Sequence, residues 1–181
     1  MLGGNTLELS KHETAPAAGS NLAGIGSRFL ASFIDSIILG IPMYIVTLVI
    51  SIQLFMGDVE FMSIIERDPE KVTNQEFFTV LSSVFKVAGI MAALSFIVYF
   101  LYFTLMESSK WQATLGKKIM GIQVVEAEAE GGRISFGRAA GRFFARSFLS
   151  PILMIGYILA FFTEKRQALH DLLAGTIVVK N

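Results

Sequence analysis

Three long apolar stretches, separated by polar segments, dominate the pattern along the chain. Residues 29–56 contain one ionised side chain and residues 87–106 contain none, and about 20 such residues are enough to cross a bilayer. Residues 147–163 are uncharged but shorter, and Pro151 and Gly156 interrupt them. The pattern therefore predicts two spanning helices, 29–56 and 87–106, and a third embedded segment, 147–163, that is short or re-entrant.

The polar segments between these stretches differ in charge, and the difference predicts an orientation. The connection at residues 57–86 carries three basic residues and is acidic overall, whereas the connection at 107–146 carries seven basic residues. Basic residues that flank membrane segments stay in the cytoplasm. We therefore expect an outer acidic loop at 57–86 and a cytoplasmic second connection. The polar tail at 1–27, which has no apolar period, is expected to be disordered and cytoplasmic.

A small β element is predicted in the cytoplasmic loop at 107–135. Residues 121–126 (Gly-Ile-Gln-Val-Val-Glu) form a β-branched run, Gly131-Gly132 is a turn signal, and residues 133–135 can return as the second strand of a hairpin. In the C-terminal tail at 164–181, residues 175–179 repeat the same pattern. The two runs are candidates to pair with each other, which requires both to lie on the cytoplasmic side. We expect this arrangement, with a third segment that does not cross fully.

The segment at residues 136–148 is predicted to be an amphipathic helix at the level of the lipid headgroups. Arg138, Arg142 and Arg146 recur every four residues, beside several phenylalanines. Such a helix places its arginines on lipid phosphates. Lys117 and Lys118 are interpreted as a further basic anchor, so the bilayer and its anionic headgroups are the expected partners.

Composition agrees with a membrane protein and excludes several other classes. Hydrophobic residues make up 53% of the chain and charged residues 17%, against roughly 25% charged in an average globular protein. Basic and acidic residues both number 15, which argues against a nucleic-acid partner. Without cysteine and with two histidines, the chain offers no metal site, and no cofactor is indicated. No nucleophilic triad is visible, so an enzyme is not expected.

The fold class that follows is an all-α membrane protein. It has three membrane-embedded hydrophobic segments, a small cytoplasmic β element and an amphipathic interfacial helix.

Asp35, inside the first predicted helix, is the candidate functional residue. A carboxylate there costs at least roughly 2.5 kcal/mol unless it faces a partner or water. Arg28 lies seven residues earlier on the same helix face, and counting inward along an antiparallel second helix brings Tyr99 level with Asp35. Two interpretations remain open. Asp35 is either a proton or cation site tuned by Arg28, or a structural contact held by Tyr99 or an arginine.

Three blocks of sequence, in order, resemble the RDD family of bacterial membrane proteins. They are residues 27–35 (Ser-Arg-Phe-Leu-Ala-Ser-Phe-Ile-Asp), residues 114–125 (Thr-Leu-Gly-Lys-Lys-Ile-Met-Gly-Ile-Gln-Val-Val) and residues 166–179, which contain His170 and Asp171. The resemblance covers residues 24–180 and implies a helical inner-membrane domain at 28–180. It also implies that the arginine and two aspartates of the family name are Arg28, Asp35 and Asp171.

Two functions are compatible with these expectations. Because cation/proton antiport is proposed for some members of the family, the resemblance implies a transport or ion-coupling component acting through Asp35. A chain with so few helices would then need a homo-oligomer or a partner. The alternative is a non-catalytic assembly protein that binds another membrane protein. Asp171 is expected to pair with Arg28 or Arg142, or to form a pH-sensitive pair with His170. The predicted location is the bacterial inner membrane, with several passes and a cytoplasmic N-terminus.

Overall fold

The computed structural model describes residues 21–128, 131–149 and 155–181, without the side chains of 155–157. The described part is mostly helical, with one small sheet. In chain order its elements are α1 (Ile25–Gly57), α2 (Val59–Ile65), a 3-10 turn (Pro69–Lys71), α3 (Asn74–Ser108), α4 (Leu115–Ile119), β1 (Ile122–Glu126), α5 (Phe136–Phe144) with a π-helical turn (Ala145–Leu149), α6 (Ile155–Phe162), α7 (Leu169–Leu173) and β2 (Thr176–Lys180).

Helices α1 and α3 are long and apolar enough to cross a membrane. They have 33 and 35 residues, and the rest of the described chain buries almost none of their apolar stretches. Both predicted helices are confirmed, but α3 begins thirteen residues before the predicted start. The reason is local, because Thr73 and Glu76 form a capping box that starts the helix in the polar segment. The predicted acidic loop is therefore partly helical.

Helices α4, α5 and α7 and the two strands gather at the end of the molecule where α1 begins and α3 ends. Helix α4 packs against α1, α5 packs against α3, and α7 packs against α5. We call α4, β1, α5, α7 and β2 together the polar cap. Its small apolar core contains Ile122, Val124, Ile134 and Val178, and it extends to Ala31 of α1. The polar cap is thus attached directly to the first turns of α1.

The sheet consists of β1 and β2 in antiparallel pairing, with Val124 opposite Val178. This confirms the pairing that the repeated sequence pattern suggested. The predicted hairpin is reduced to an isolated antiparallel bridge between Val125 and Arg133, beside which the Glu126 N–H donates to the Gly132 carbonyl at 3.0 Å. The returning segment has no room for a strand, because Ser135 already caps α5 by accepting a hydrogen bond from the backbone N–H of Arg138.

The strand pairing also fixes which segments lie at the same end. Leu22, just before α1, forms a bridge with Val179 of β2, and the Asn181 backbone N–H donates to Gly121 at 2.8 Å. The start of α1, the connection after α3 and strand β2 therefore meet at one end of the molecule.

Several predicted segments are described only in part. Of the predicted embedded segment at 147–163, residues 150–154 lie outside the described residues, and α6 is the helix found after them. The predicted tail lies outside them up to residue 20, as do residues 129–130 beside the predicted turn.

Candidate functional site

Asp35 lies in a closed polar pocket between α1, α3 and α4. Its carboxylate accepts hydrogen bonds from the Tyr102 hydroxyl at 2.8 Å, the Thr114 hydroxyl at 2.6 Å and the Gly116 backbone N–H at 2.8 Å. The residue is 2% exposed. Three neutral donors satisfy most of the carboxylate's acceptor capacity, and none of the described cations lies within ion-pair distance of it.

Gly116 allows this close approach of α4 to α1. A Cβ atom at position 116 would overlap the backbone carbonyl oxygen of Ala31 and would lie 2.9 Å from the Asp35 carboxylate. Only glycine leaves room for both contacts. Thr114, one of the donors to Asp35, also caps α4 by accepting from the Lys117 N–H. Asp35 therefore anchors the start of α4 to α1.

The prediction that Tyr99 contacts Asp35 is wrong, because the contact is made by Tyr102. The two tyrosines are nearly one turn apart on the same face of α3, and the Tyr99 hydroxyl lies beside Gly40 instead. The count of residues assumed that α3 ends at Met106. The helix continues to Ser108, so each residue of α3 lies at a different height beside α1 than the count assumed.

Five ionised residues form a second site, which we call the charge cluster: the buried Glu107, Lys117, Arg142 and Asp171, and the partly buried Arg28. The Arg28 guanidinium lies 2.9 Å from the Asp171 carboxylate. The Arg142 guanidinium bridges the two carboxylates, at 2.5 Å from Asp171 and 3.1 Å from Glu107. Lys117 pairs with the second oxygen of Glu107. The chain of contacts joins α1, α3, α4, α5 and α7 through alternating charges.

The charges in the polar cap shift one another's pKa. Burial alone would raise the pKa of Asp171, but Arg142 and the other nearby cations lower it to about 2. Burial lowers the pKa of Lys117 to about 8, although Glu107 opposes the shift. The two carboxylates overcome the desolvation of Arg142 and raise its pKa. Arg142 and Asp171 are therefore ionised across the physiological range.

His170 lies against this cluster as a neutral imidazole. Its Nε2 atom is 3.6 Å from Asp171 Oδ1. Burial lowers the pKa of His170 to about 3, and repulsion from Arg142 adds to that effect, while Asp171 opposes it. The predicted pH-sensitive pair with Asp171 would thus titrate well below neutrality.

The expectation that five basic residues face lipid is wrong for two of them. Lys117 and Arg142 are about 5% exposed and bind carboxylates inside the protein, because Glu107 and Asp171 supply buried partners that the sequence pattern does not reveal. The other three lie nearer the surface. Arg138 is 3.5 Å from Glu126, the Lys118 amine lies 3.7 Å from the Trp111 ring centroid, and Arg146 contacts Ser32 and Phe103.

No metal site is apparent within the described ranges, where no group of three or more histidine or acidic side chains is placed to hold an ion.

Comparison with known proteins decides the family. The sequence profile of the RDD family matches residues 22–175, which is most of the chain. The chain belongs to the RDD family. It is 36% identical over 157 residues to the uncharacterised protein YxaI of Bacillus subtilis (strain 168), a match that covers 87% of this chain and 96% of that protein. No solved structure shows significant similarity to this chain.

The RDD arginine and aspartates inferred from the sequence separate into the two sites. Arg28 and Asp171 meet in the charge cluster, as predicted, and Arg142 is a partner of Asp171 as well, so both suggested partners are correct. Asp35 lies in its own pocket. Both sites hold the polar cap on the first turns of α1, where Arg28 and Asp35 lie about two turns apart.

Sequence reasoning missed Glu107, Thr114 and Gly116 as site residues. Glu107 had a visible signal, since it is the first charged residue after the uncharged stretch of α3. Thr114 and Gly116 begin the second RDD-like block, which indicated their region without showing which helix they contact.

Proposed function

We propose that this RDD protein is a multi-pass, non-enzymatic protein of the bacterial inner membrane that assembles with another membrane-embedded chain through α3. The partner in its simplest form is a second copy of the same chain. The polar cap, with the N-terminal end of α1, lies on the cytoplasmic side in this proposal, because the connection after α3 carries the larger number of basic residues.

One exposed face of α3 carries this proposal. Ala88, Gly89, Ala92 and Ala93 are all exposed, and a Cβ atom at Gly89 would meet nothing within 4 Å. Membrane helices associate where small residues let their backbones approach closely. Phenylalanines such as Phe85, 68% exposed, border the face and would pack around such a contact.

The closure of Asp35 also favours assembly over transport. A transport site needs access to water or to the passing ion, whereas Asp35 is buried and bonded to three neutral donors. Within the described residues, its contacts serve to hold α4 against α1. Asp35 is the candidate that the sequence offers for ion coupling, but its contacts are best explained by a role in stabilising the fold.

Cysteine crosslinking tests the assembly directly, because the chain has no cysteine of its own. Gly89→Cys is expected to form a disulfide-linked dimer in native membranes after mild oxidation. Ile90→Cys is the matched control, since it lies at the same depth, is 46% exposed and points about 100° away around the helix. Equal crosslinking of the two variants, or none at Gly89→Cys, would contradict a specific α3 interface. A heterologous partner would appear as a crosslinked band of a different mass.

Ion coupling is the second candidate, and the Lys117–Glu107 pair is the observation that favours it. Both side chains are buried, and Lys117 has a pKa of about 8, so it can exchange a proton near physiological pH. Reconstituted vesicles with a pH gradient test this function. Cation-dependent proton flux that is lost in Asp35→Asn or Lys117→Met would support it. Flux equal to that of empty vesicles would exclude it without affecting the crosslinking result.

A further inference from the structure

One cation beside the charge cluster has no carboxylate partner. The cluster contains three cations and two carboxylates, and Asp35 adds a third buried carboxylate in its own pocket, whereas Arg146, one turn after Arg142, adds a fourth cation. No described carboxylate lies within ion-pair distance of Arg146. Positive charge in surplus at a half-buried position is costly unless an anion neutralises it.

Arg146 has donors to spare. Its Nη2 atom donates to the Ser32 hydroxyl at 3.3 Å, and its guanidinium carbon lies 4.8 Å from the centroid of the Phe103 ring. Both contacts are with neutral groups, and a guanidinium has five N–H donors. The side chain is half-buried, so part of it remains accessible from outside the protein.

A small cavity connects Arg146 to the charge cluster. Phe103, Glu107, Arg142, Phe143 and Arg146 line it, and it holds no more than about one water molecule. Arg142 reaches this cavity while 4% exposed, and its Nε atom is buried without a hydrogen-bond partner. The carboxylate in the lining, Glu107, is already neutralised by Lys117 and Arg142. Two guanidinium side chains therefore line the cavity, and Arg142 has one buried donor without a partner.

Exposed aromatic side chains continue from this point along the membrane helices. Phe144 and Phe148 are 44% and 52% exposed and stack on each other, and both contact Phe96 of α3. An apolar surface therefore lies beside the arginines at the opening of the cavity. This combination suits a molecule with an anionic head and an apolar tail.

We propose that Arg146, supported by Arg142, forms a binding site for a phosphate group at the mouth of this cavity. The phosphate belongs either to an anionic phospholipid, whose acyl chain lies over Phe144 and Phe148, or to free phosphate. Arg146 donates to the phosphate oxygens as a fork. The arginines of this site belong to α5 and its π-helical turn, whereas the proposed assembly interface lies on α3.

The purified full chain in detergent tests the site by native mass spectrometry. The probes are phosphatidylglycerol and phosphatidylcholine with identical acyl chains, and inorganic phosphate as a competitor. We expect the wild type to retain phosphatidylglycerol on the order of tenfold better than phosphatidylcholine, which corresponds to about 1.4 kcal/mol. Arg146→Gln is expected to lose this preference, and Arg146→Lys to keep part of it.

The matched control is Arg138→Gln, which removes an exposed arginine of α5 that is paired with Glu126. It is expected to keep the preference, as is Ser32→Ala, which removes only a neutral contact of Arg146. Displacement of the lipid by inorganic phosphate would assign the site to phosphate from either source, and retention of the lipid would assign it to the headgroup. Equal retention of the two lipids by the wild type, or equal loss in Arg138→Gln and Arg146→Gln, would overturn the proposal. The wild-type comparison decides alone if Arg146→Gln does not fold.

Discussion

The Tyr102 hydroxyl donates to the Asp35 carboxylate at 2.8 Å and accepts from the Leu115 backbone N–H at 3.0 Å. Tyr102→Phe would break both bonds and leave Leu115 and Asp35 each without one partner. We expect a loss of about 1–3 kcal/mol in the free energy of unfolding. Tyr99→Phe, nearly one turn away, is the matched control and should lower the free energy of unfolding by less. Denaturant titration in detergent, followed by circular dichroism, measures both, and equal losses would contradict the assignment of Tyr102.

Gly116→Ala should be strongly destabilising. The added methyl group would collide with the Ala31 carbonyl and press on Asp35, so α4 would have to move away from α1. Overpacking of this kind costs about 3 kcal/mol or less in most cores, but a backbone collision places this substitution at the upper end. Gly141→Ala in α5 is the control, because nothing lies within 4 Å of its Cβ position. It should leave the apparent melting temperature unchanged or raise it slightly.

Asp171→Asn should destabilise the fold more than any exposed ion-pair variant. The substitution leaves the buried Arg142 and the partly buried Arg28 with one carboxylate fewer, and uncompensated buried charge costs about 3–5 kcal/mol. Asp68→Asn removes the exposed partner of Lys71 and should cost less than about 1 kcal/mol. Comparable melting temperatures for the two variants would show that the charge cluster does not hold the polar cap.

Acid sensitivity above pH 4 should depend on His170. Its pKa is about 3 in the folded protein against 6.5 for an ordinary histidine, so below pH 6.5 the unfolded state binds a proton that the folded state does not. Stability should therefore fall as the pH falls, by about 2 kcal/mol at pH 5. Asp171 contributes in a separate window, since its stabilisation is lost only below pH 3.8.

The variant His170→Gln should remove the dependence between pH 6.5 and 4. The groups that act on the imidazole are Asp171, which raises its pKa, and Arg142, Arg146 and Lys117, which lower it. Melting temperatures of the two proteins, measured in detergent at half-unit pH steps, test the prediction. Parallel curves would contradict it.

Cysteine labelling tests the proposed orientation. Asn181→Cys follows β2, which pairs with β1, so a membrane-impermeant maleimide should label it only in opened cells. Glu70→Cys, in the turn between α2 and α3 at the other end of the molecule, should be labelled in intact spheroplasts. Labelling of both positions in intact spheroplasts would contradict the proposal that the polar cap lies on the cytoplasmic side.

The sequence predicts the elements better than their partners. Uncharged length alone identifies α1 and most of α3, and the repeated β-branched pattern identifies the two paired strands. Neither argument determines depth, so a two-residue error at the end of α3 moved the predicted contact from Tyr102 to Tyr99. The spacing of Arg142 predicts a lipid-facing position on an amphipathic helix. Its burial depends on Glu107 and Asp171, which lie far away in sequence.

The pairing of β1 with β2 has a consequence for how the protein is made. The ribosome completes α1, α3 and β1 long before it reaches Thr176–Lys180. Until then β1 lacks its neighbouring strand, and Arg28 lacks both Asp171 and the carbonyl oxygen of Val178 that it binds in the finished protein. Because contacts between distant parts of a chain form late, α1 and α3 can form first. Closure of the polar cap is then a separate, later step, which requires the synthesis of β2.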